Sequence, residues 1–343
     1  MKTKQIVFTE VNKAELLDAV CEAPQADEVS VQLQYSAISS GTERANITGL
    51  RNGTGMDEDE EAVFPRYCGY SSAGVVTAVG EGVSDIAVGD KVLVYWGFHK
   101  KNITIKRTGV VPIPEGVSME EAAIAFISTF PLAAIRKTKL EIGESALVMG
   151  LGTLGVFAVK LLKAAGAYPI VAVDPVAERR ERALQVGADV ALDPTREDFA
   201  KQVIEATNGG AAVCIEVTGL GIGLVQALDC MRQFGRVALL GCTRSSQFQV
   251  DYYKKVHAPG IQLIGAHTMA RPGVESYPGY WTATDDIKAV LNLLKGKRLC
   301  YSDIIEEIHS PVEAPEVYDR LIHEKTFPVG VLFDWRKIEC EEA

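Results

Sequence analysis

The sequence predicts an α/β protein in which a doubly wound domain with a six-stranded parallel sheet is inserted into a β-rich domain. Three observations lead to this prediction. Up to about residue 125 the chain reads as short strands separated by turns. From about residue 145, six short β-branched runs alternate with helical segments, and after about residue 270 this alternation ends. Strands that alternate with helices of this length are typical of a parallel sheet.

Length and composition agree with two folded domains. The chain has 343 residues, of which 47% are hydrophobic and 23% charged, enough for two cores. Its formal net charge of -10 repels phosphate backbones and anionic lipids, so we expect neither nucleic acid nor a membrane as a partner. The 7 cysteines have no regular spacing, and the N-terminal segment lacks the apolar run of a signal peptide. A cytoplasmic protein is therefore expected.

The β-rich part contains three clear strand patterns. Val29–Ala37 alternates apolar and polar residues, as a half-buried strand does. Ala73–Val79 and Lys91–Tyr95 are strands on either side of a turn segment punctuated by glycine. Between the first and second of these strands, the acidic run Met56–Glu61 is interpreted as a solvated loop.

The six β-branched runs are ALVMG, PIVAVD, DVALD, AAVCIEV, RVALLG and IQLIGA, and the helices between them end near Ala165, Val186, Thr207 and Met231. Six strands joined in this way match a dinucleotide-binding domain of two βαβαβ halves, the Rossmann fold. A helix at Asp285–Leu294 and a closing strand at Val329–Phe333 follow. The expected boundaries are 1–125 and 269–343 for the β-rich domain and 126–268 for the inserted domain.

A glycine-rich loop follows the first of these strands and opens an amphipathic helix. The candidate residues for nucleotide contact there are Gly150, Gly152, Thr153, Leu154 and Gly155. The first glycine permits a tight turn, the second lets backbone amides approach a pyrophosphate, and the third lets the helix pack on its strand. The pyrophosphate would lie at the helix N-terminus, where free N–H groups favour an anion.

An acidic residue, Asp174, ends the second strand. A carboxylate at this position accepts hydrogen bonds from the adenosine ribose and repels a 2′-phosphate, so NAD is predicted rather than NADP. Arg179 lies close enough to contact the nucleotide, although a solvated helix face is the alternative. Thr218, Cys242 and Thr243 end strands where cofactor crevices form and are further candidates.

Several segments occur in the order found in one enzyme family. They are Gly69–Gly80, Val88–Val92, Pro112–Pro114 and Gly143–Gly155. In these segments the chain resembles the medium-chain dehydrogenase/reductase superfamily, which includes zinc alcohol, polyol and threonine dehydrogenases. The resemblance implies a GroES-like catalytic domain built from both chain ends, a small alcohol or ketone as substrate, and a homodimer or homotetramer.

The chain departs from that family at the zinc site. Zinc members carry Cys-Gly-Thr-Asp where this chain has Ser40–Glu43, and Gly-His-Glu where it has Gly69–Ser71. The third ligand position falls near Phe130–Leu132, which offers no ligand, and Lys91–Val110 lacks the cysteines of a structural zinc lobe. Because a serine hydroxyl is a poor substitute for a thiolate, we predict that no zinc is bound.

Two of these segments, Ser40–Arg44 and Gly69–Ser71, are similar to a less familiar branch that includes the bacteriochlorophyllide hydroxyethyl dehydrogenases. This similarity does not transfer a substrate. A shifted set of donors, Cys68, His99 and Glu43, is the alternative metal site.

Without zinc, a positioned base must take the proton of the alcohol. The candidate catalytic residues are Ser40, Thr42, Glu43, Tyr70 and His99. By the resemblance, Tyr70 occupies a ligand position, and the alternative is an aromatic ring that only packs beside the cleft. His99 is the candidate final acceptor, because imidazole titrates near neutrality. Thr42 matches the family's relaying hydroxyl or caps a turn, and Glu43 alternatively pairs with Arg44.

These observations predict a zinc-independent oxidoreductase that transfers hydride between NAD and a secondary alcohol or ketone of a sugar, polyol or cyclitol. Two alternatives stay open at this point. One is an NADPH-linked quinone or enone reductase, which Asp174 disfavours. The other is a nucleotide-binding protein that has no catalytic activity.

Overall fold

A computed structural model of the protein describes residues 1–50, 62–242 and 248–338. The acidic run Met56–Glu61 and the candidate nucleotide contact Thr243 lie outside the described residues. Every helix within the described ranges is too short or too polar to cross a bilayer.

The described residues form strands and helices throughout. The strands are β1 (Lys2–Glu10), β2 (Lys13–Val20), β3 (Glu28–Ala37), β4 (Ser71–Val79), β5 (Lys91–Tyr95), β6 (Asn102–Lys106), β7 (Val110–Pro112), β8 (Ala146–Met149), β9 (Ile170–Val173), β10 (Val190–Leu192), β11 (Ala211–Glu216), β12 (Met231–Leu239), β13 (Gln262–Gly265), β14 (Ile305–His309) and β15 (Gly330–Asp334). The helices are α1 (Ser40–Ile47), α2 (Met119–Lys137), α3 (Thr153–Ala164), α4 (Ala177–Val186), α5 (Phe199–Ala206), α6 (Gly221–Asp229), α7 (Ala283–Lys295) and α8 (Ala314–His323). Short 3₁₀ turns occupy Arg107–Gly109, Pro311–Glu313 and Trp335–Lys337, and a π-helical turn occupies Tyr253–His257.

The chain divides into two compact units. Unit 1 comprises Met1–Ile127 and Ile287–Ala343, and unit 2 comprises Ser128–Asp286. Both boundaries fall inside helices, the first in α2 and the second in α7.

The chain returns to unit 1 later than residue 269, where the sequence pattern led us to expect it. The reason is that the segment after β13 is bonded to α2 within unit 2. The ammonium of Lys137 donates to the carbonyl of Ala270, and Arg136 pairs with the buried Asp286 at 2.8 Å. Polar contacts of this kind join distant segments, so local hydrophobic periodicity does not predict them.

Unit 2 contains the predicted six-stranded parallel sheet, which is confirmed. Its strand order is β10-β9-β8-β11-β12-β13, and every neighbouring pair is parallel. All residues of β8 and β11 are buried, as expected for central strands covered on both faces. The order reverses between β8 and β11, the position at which ligands of such sheets bind.

Unit 1 contains a seven-stranded sheet and the hairpin β1–β2. The sheet order is β14-β15-β3-β4-β5-β7, with β6 also paired to β3, and all pairs except β14–β15 are antiparallel. Val29, Val31 and Leu33 of β3 point into the core, so the predicted alternation is confirmed. The closing strand β15 lies beside β3, and its Phe333 belongs to the same core. Both ends of the chain therefore build one β-rich unit.

Candidate active site

The glycine-rich loop in unit 2 joins β8 to α3. Gly150 has a φ of +94°, which a side chain would strain, and Gly152 immediately precedes α3. A Cβ atom on Gly155 would lie 1.9 Å from the carbonyl oxygen of Gly150, whereas one on Gly152 would meet no atom within 4 Å. Thr153 and Leu154 form the start of the helix. The loop thus leaves open space at a helix N-terminus, which suits a pyrophosphate.

Asp174 follows β9 and is held against this loop. Its Oδ2 accepts a hydrogen bond from the backbone N–H of Leu151 at 2.9 Å, and its Oδ1 accepts one from Val176 at 2.9 Å. The guanidinium of Arg179 lies 3.4 Å from Oδ2. An ionised carboxylate offers about four acceptor positions, so these donors leave room for a ribose hydroxyl. The predicted nucleotide residues Asp174 and Arg179 are therefore neighbours.

A second carboxylate near the loop was not singled out from the sequence. Glu216 ends β11, and its Oε1 accepts hydrogen bonds from the hydroxyl and the N–H of Thr218. Burial raises the pKa of Glu216. Thr218 in turn packs against the loop, since a Cβ on Gly150 would lie 3.0 Å from its methyl group. The only signal in the sequence was a carboxylate at the end of a fully apolar strand.

Cys242 follows β12 and is exposed. It follows the carboxyl end of that strand and stays a predicted nucleotide contact.

In unit 1, Glu43 lies on α1 with no exposed surface. Its Oε1 accepts the N–H of Ser39 at 3.0 Å, and its Oε2 accepts the hydroxyl of Tyr318 at 2.6 Å and lies 3.2 Å from Nε2 of His99. The alternative pairing of Glu43 with Arg44 is wrong. Arg44 instead donates to main-chain carbonyls at the end of α8, because consecutive helical residues point in different directions.

His99 is also completely buried. Its Nδ1 lies 2.7 Å from the hydroxyl of Ser36, and its ring packs edge-on against Phe333. The hydroxyl beside His99 is thus that of Ser36 and not that of Tyr70 or Thr42. A proton that reaches or leaves His99 therefore has to pass through Glu43 or Ser36.

Tyr70 lies just before β4 and is partly exposed. Its hydroxyl donates to Oγ of Ser39, and its ring packs against Trp96 and Phe126 with centroid distances of 5.4 and 5.9 Å. Burial raises the pKa of Tyr70, and hydrogen bonds with Ser39 and Thr42 offset this in part. The structure therefore brings together Tyr70 and Thr42 of the candidate set, and it adds Ser39.

Zinc does not fit the residues present. Ser40 is the first residue of α1, Tyr70 occupies the second position that the resemblance assigns to a ligand, and Phe130–Leu132 at the third offers no donor side chain. Across residues 1–50, 62–242 and 248–338, no three His, Cys, Asp or Glu side chains are placed to hold a metal ion. The alternative set of Cys68, His99 and Glu43 is therefore wrong as a metal site. Both oxygens of Glu43 are already occupied by donors.

The fold and the two polar sites are those of a dehydrogenase that carries a nicotinamide dinucleotide. Comparison with known proteins agrees with this class. Residues 25–123 match the alcohol dehydrogenase GroES-like domain, and residues 153–285 match the zinc-binding dehydrogenase model. The chain belongs to the medium-chain dehydrogenase/reductase superfamily. Solved relatives carry NADH or NADP.

Relatives with assigned activities are alcohol dehydrogenases. The chain is 26% identical to D-guloside 3-dehydrogenase of Escherichia coli K12 over 96% of its own length and 100% of the relative. It is 29% identical to (R,R)-butanediol dehydrogenase of Bacillus subtilis over 71% of its length and 76% of the relative. The crystal structure of 2R,3R-butanediol dehydrogenase from that organism superimposes with a TM-score of 0.81, at 22% identity, covering 97% of this chain and 99% of that chain. The protein is thus an oxidoreductase of the alcohol dehydrogenase type.

Proposed function

We propose that the protein is a zinc-independent, NAD-dependent dehydrogenase that interconverts a secondary alcohol and its ketone on a sugar, polyol or cyclitol. The observation that carries the proposal is the hydroxyl cluster of Tyr70, Ser39 and Thr42 at a position where the superfamily has a zinc ligand.

Proton transfer in this proposal uses the phenol of Tyr70. Because the pKa of Tyr70 is raised, the phenol keeps its proton at neutral pH and donates it to the oxygen of a ketone. Oxidation of the alcohol needs the reverse transfer, so its rate should rise with pH as the tyrosinate fraction grows. Thr42 stabilises the phenol oxygen when the proton leaves.

The choice of NAD is supported by Asp174. Its carboxylate lies beside the glycine-rich loop and repels the 2′-phosphate of NADP. Arg179 favours the opposite choice, because a guanidinium 3.4 Å from Asp174 partly neutralises that charge. An NADPH-linked reductase of quinones or enones is therefore the second candidate.

A sugar-like substrate is supported by a relative that aligns over 96% of this chain and is named D-guloside 3-dehydrogenase. A hydroxyl-rich site also suits a substrate that carries many hydroxyl groups.

The test is a screen of glycosides, polyols and cyclitols with NAD and NADP, together with metal analysis of the purified protein. We expect turnover of at least one secondary alcohol, a tighter Kd for NADH than for NADPH, and activity that survives chelation. One equivalent of zinc whose removal abolishes activity would refute the metal-free mechanism. A tenfold preference for NADPH, about 1.4 kcal/mol, would refute the choice of cofactor. Tight NADH binding without any turnover would indicate the catalytically silent alternative.

Tyr70→Phe provides the matched variant. We expect it to lower kcat by roughly 10²-fold or more, the usual scale for loss of a general acid or base. The rise of the oxidation rate with pH should disappear in the same variant, while Kd for NADH stays unchanged. A Tyr70→Phe enzyme that kept the wild-type pH profile would place the proton step at another residue.

A further inference from the structure

Ser39 connects Tyr70 to the buried carboxylate of unit 1. It precedes α1 and is 6% exposed. Its hydroxyl accepts the hydrogen bond of Tyr70, and its own N–H donates to Oε1 of Glu43 at 3.0 Å. A single residue therefore touches both the phenol of the proton step and the core behind it.

Glu43 is held in place by its hydrogen-bond donors. An ionised carboxylate accepts hydrogen bonds but donates none, so Ser39, Tyr318 and His99 must all present hydrogens to it. The side chain of Glu43 is completely buried, and a buried charge that lost one of these donors would be destabilised. The carboxylate consequently has one stable orientation.

The imidazole behind Glu43 is also fixed. The indole N–H of Trp335 can only donate, and it donates to the hydroxyl of Ser36 at 2.8 Å. That hydroxyl keeps its own hydrogen for Nδ1 of His99, which lies 2.7 Å away, and in this tautomer Nε2 carries the hydrogen that faces the acceptor Glu43. These links run from the end of the chain to the first turn of α1, and all lie in unit 1.

We propose that Ser39 and Glu43 are positioning residues for Tyr70. The proposal rests on the proposed function, in which the Tyr70 hydroxyl exchanges a proton with the substrate oxygen. Packing on Trp96 and Phe126 holds the ring, and Oγ of Ser39 holds the phenol oxygen. Because the phenol has one hydrogen, that hydrogen turns from Oγ of Ser39 to the substrate oxygen in the proton step, and the Ser39 hydroxyl then donates to the phenol oxygen. Glu43 fixes the main chain of Ser39 and thereby the position of that acceptor.

The first test is Ser39→Ala, which removes the acceptor but keeps the N–H that binds Glu43. We expect kcat to fall roughly 10- to 100-fold, the scale of a misplaced catalytic group, with KM and Kd for NADH nearly unchanged. Ser39→Thr should restore most of the rate. Ser30→Ala is the matched control, because Ser30 is a buried serine of β3 whose hydroxyl bonds within the sheet, to Thr104.

The double variant Ser39→Ala/Tyr70→Phe shows whether Ser39 acts through Tyr70. We expect it to be no slower than Tyr70→Phe alone, because a residue that only positions the phenol has nothing left to position. An added loss equal to that of the single Ser39→Ala variant would overturn the proposal.

A readout that needs no substrate separates this proposal from the proposed function. The chain has 3 tryptophans, so fluorotryptophan labelling gives three ¹⁹F signals, which single Trp→Phe variants assign. In Ser39→Ala the Trp96 signal should shift or broaden, because Tyr70 packs on that ring, while the Trp281 and Trp335 signals stay in place. In Glu43→Gln both Trp96 and Trp335 should respond. If no alcohol is turned over, the proposed function fails. An unmoved Trp96 signal in Ser39→Ala overturns the positioning role whether or not activity is found.

Discussion

Replacing Gly152 or Gly155 with alanine is expected to affect different properties, nucleotide binding in the first case and stability in the second. In Gly155→Ala the new methyl would lie 1.9 Å from the carbonyl oxygen of Gly150, so α3 must move away from β8. We expect a clear loss of thermal stability in the absence of nucleotide. In Gly152→Ala the methyl meets nothing within 4 Å, so the fold is kept. It enters the space predicted for the pyrophosphate, and Kd for NADH should rise by roughly tenfold or more.

Thermal unfolding and NADH titration of the two variants check this pair. A Gly152→Ala protein that binds NADH as tightly as the wild type would show that the pyrophosphate does not approach this loop.

Individual residues also show where prediction from sequence stops. The spacing of Gly150, Gly152 and Gly155 was sufficient to predict the turn between β8 and α3, because each glycine acts on its immediate surroundings. His99 was predicted to receive the proton of the alcohol, but the structure buries it against Phe333, in a hydrogen-bonded network that includes Trp335 and Tyr318. Those residues are more than 200 positions away in the sequence, so no local pattern predicts this burial.

His99 retains a predicted effect on activity through this buried network. We expect His99→Ala to lower kcat by roughly 10- to 100-fold, the scale of a misplaced catalytic group, because Glu43 would lose one of its donors and Ser39 its fixed position. NADH affinity should barely change, since His99 belongs to unit 1 and the glycine-rich loop to unit 2. Steady-state kinetics combined with NADH titration measure both quantities, and near-normal turnover in a folded variant contradicts the expectation.

At the scale of elements, strand β14 is joined to helix α8 by an ion pair that depends on pH. The two guanidinium NH₂ groups of Arg320 donate to both oxygens of Glu307, at 2.8 and 2.9 Å. The hydrogen bonds of Arg320 lower the pKa of Glu307 to about 2. Since the folded-state pKa lies below the unfolded value, the pair stabilises the fold above about pH 4.3. That contribution is lost as the pH falls toward 2.

Glu307→Gln should accordingly lower Tm by about 2–4 °C at pH 7, the effect of about 1 kcal/mol in a fold of this size. The difference from wild type should shrink as the pH is lowered from 5 to 3. Glu324→Gln is the control, because Glu324 meets the same arginine from a more exposed position on the same helix end. Melting curves at several pH values decide the matter, and a difference that stays constant down to pH 3 would exclude this ion pair as the cause.

Elements were predictable where periodicity is strong and local. The six strands of unit 2 and strands β3, β4, β5 and β15 were found in this way. Helix α1 was missed because its eight residues, Ser40–Ile47, carry polar and small side chains without an apolar stripe. Most of the candidate proton site lies on or next to that helix. The helix that the sequence did not predict therefore carries most of the proposed proton-transfer site.

Because the molecule has two compact units, we expect amide exchange in each unit to respond separately to bound nucleotide. Saturating NADH stabilises the conformation that binds it, by about 2.7 kcal/mol at one hundred times Kd. We expect amide exchange to slow mainly in unit 2, at the Leu151–Gly155 amides and along β8 and β9. The sheet of unit 1 should change less. Exchange mass spectrometry with and without NADH measures this, and equal protection in β3 and β4 would show that the nucleotide is not held by unit 2 alone.

The hydrogen-bonded link from Trp335 through Ser36 to His99 has a consequence for the synthesis of the protein on the ribosome. Ser36 and His99 are synthesised early, but their partner indole follows more than 200 residues later. At about 5–20 residues per second, the growing chain waits roughly 10–50 s before Trp335 appears. During that interval β3 lacks its neighbour β15, and part of the unit 1 core has no cover. The nascent chain should therefore need protection from aggregation until its last strand is released, even though the Rossmann unit is already complete.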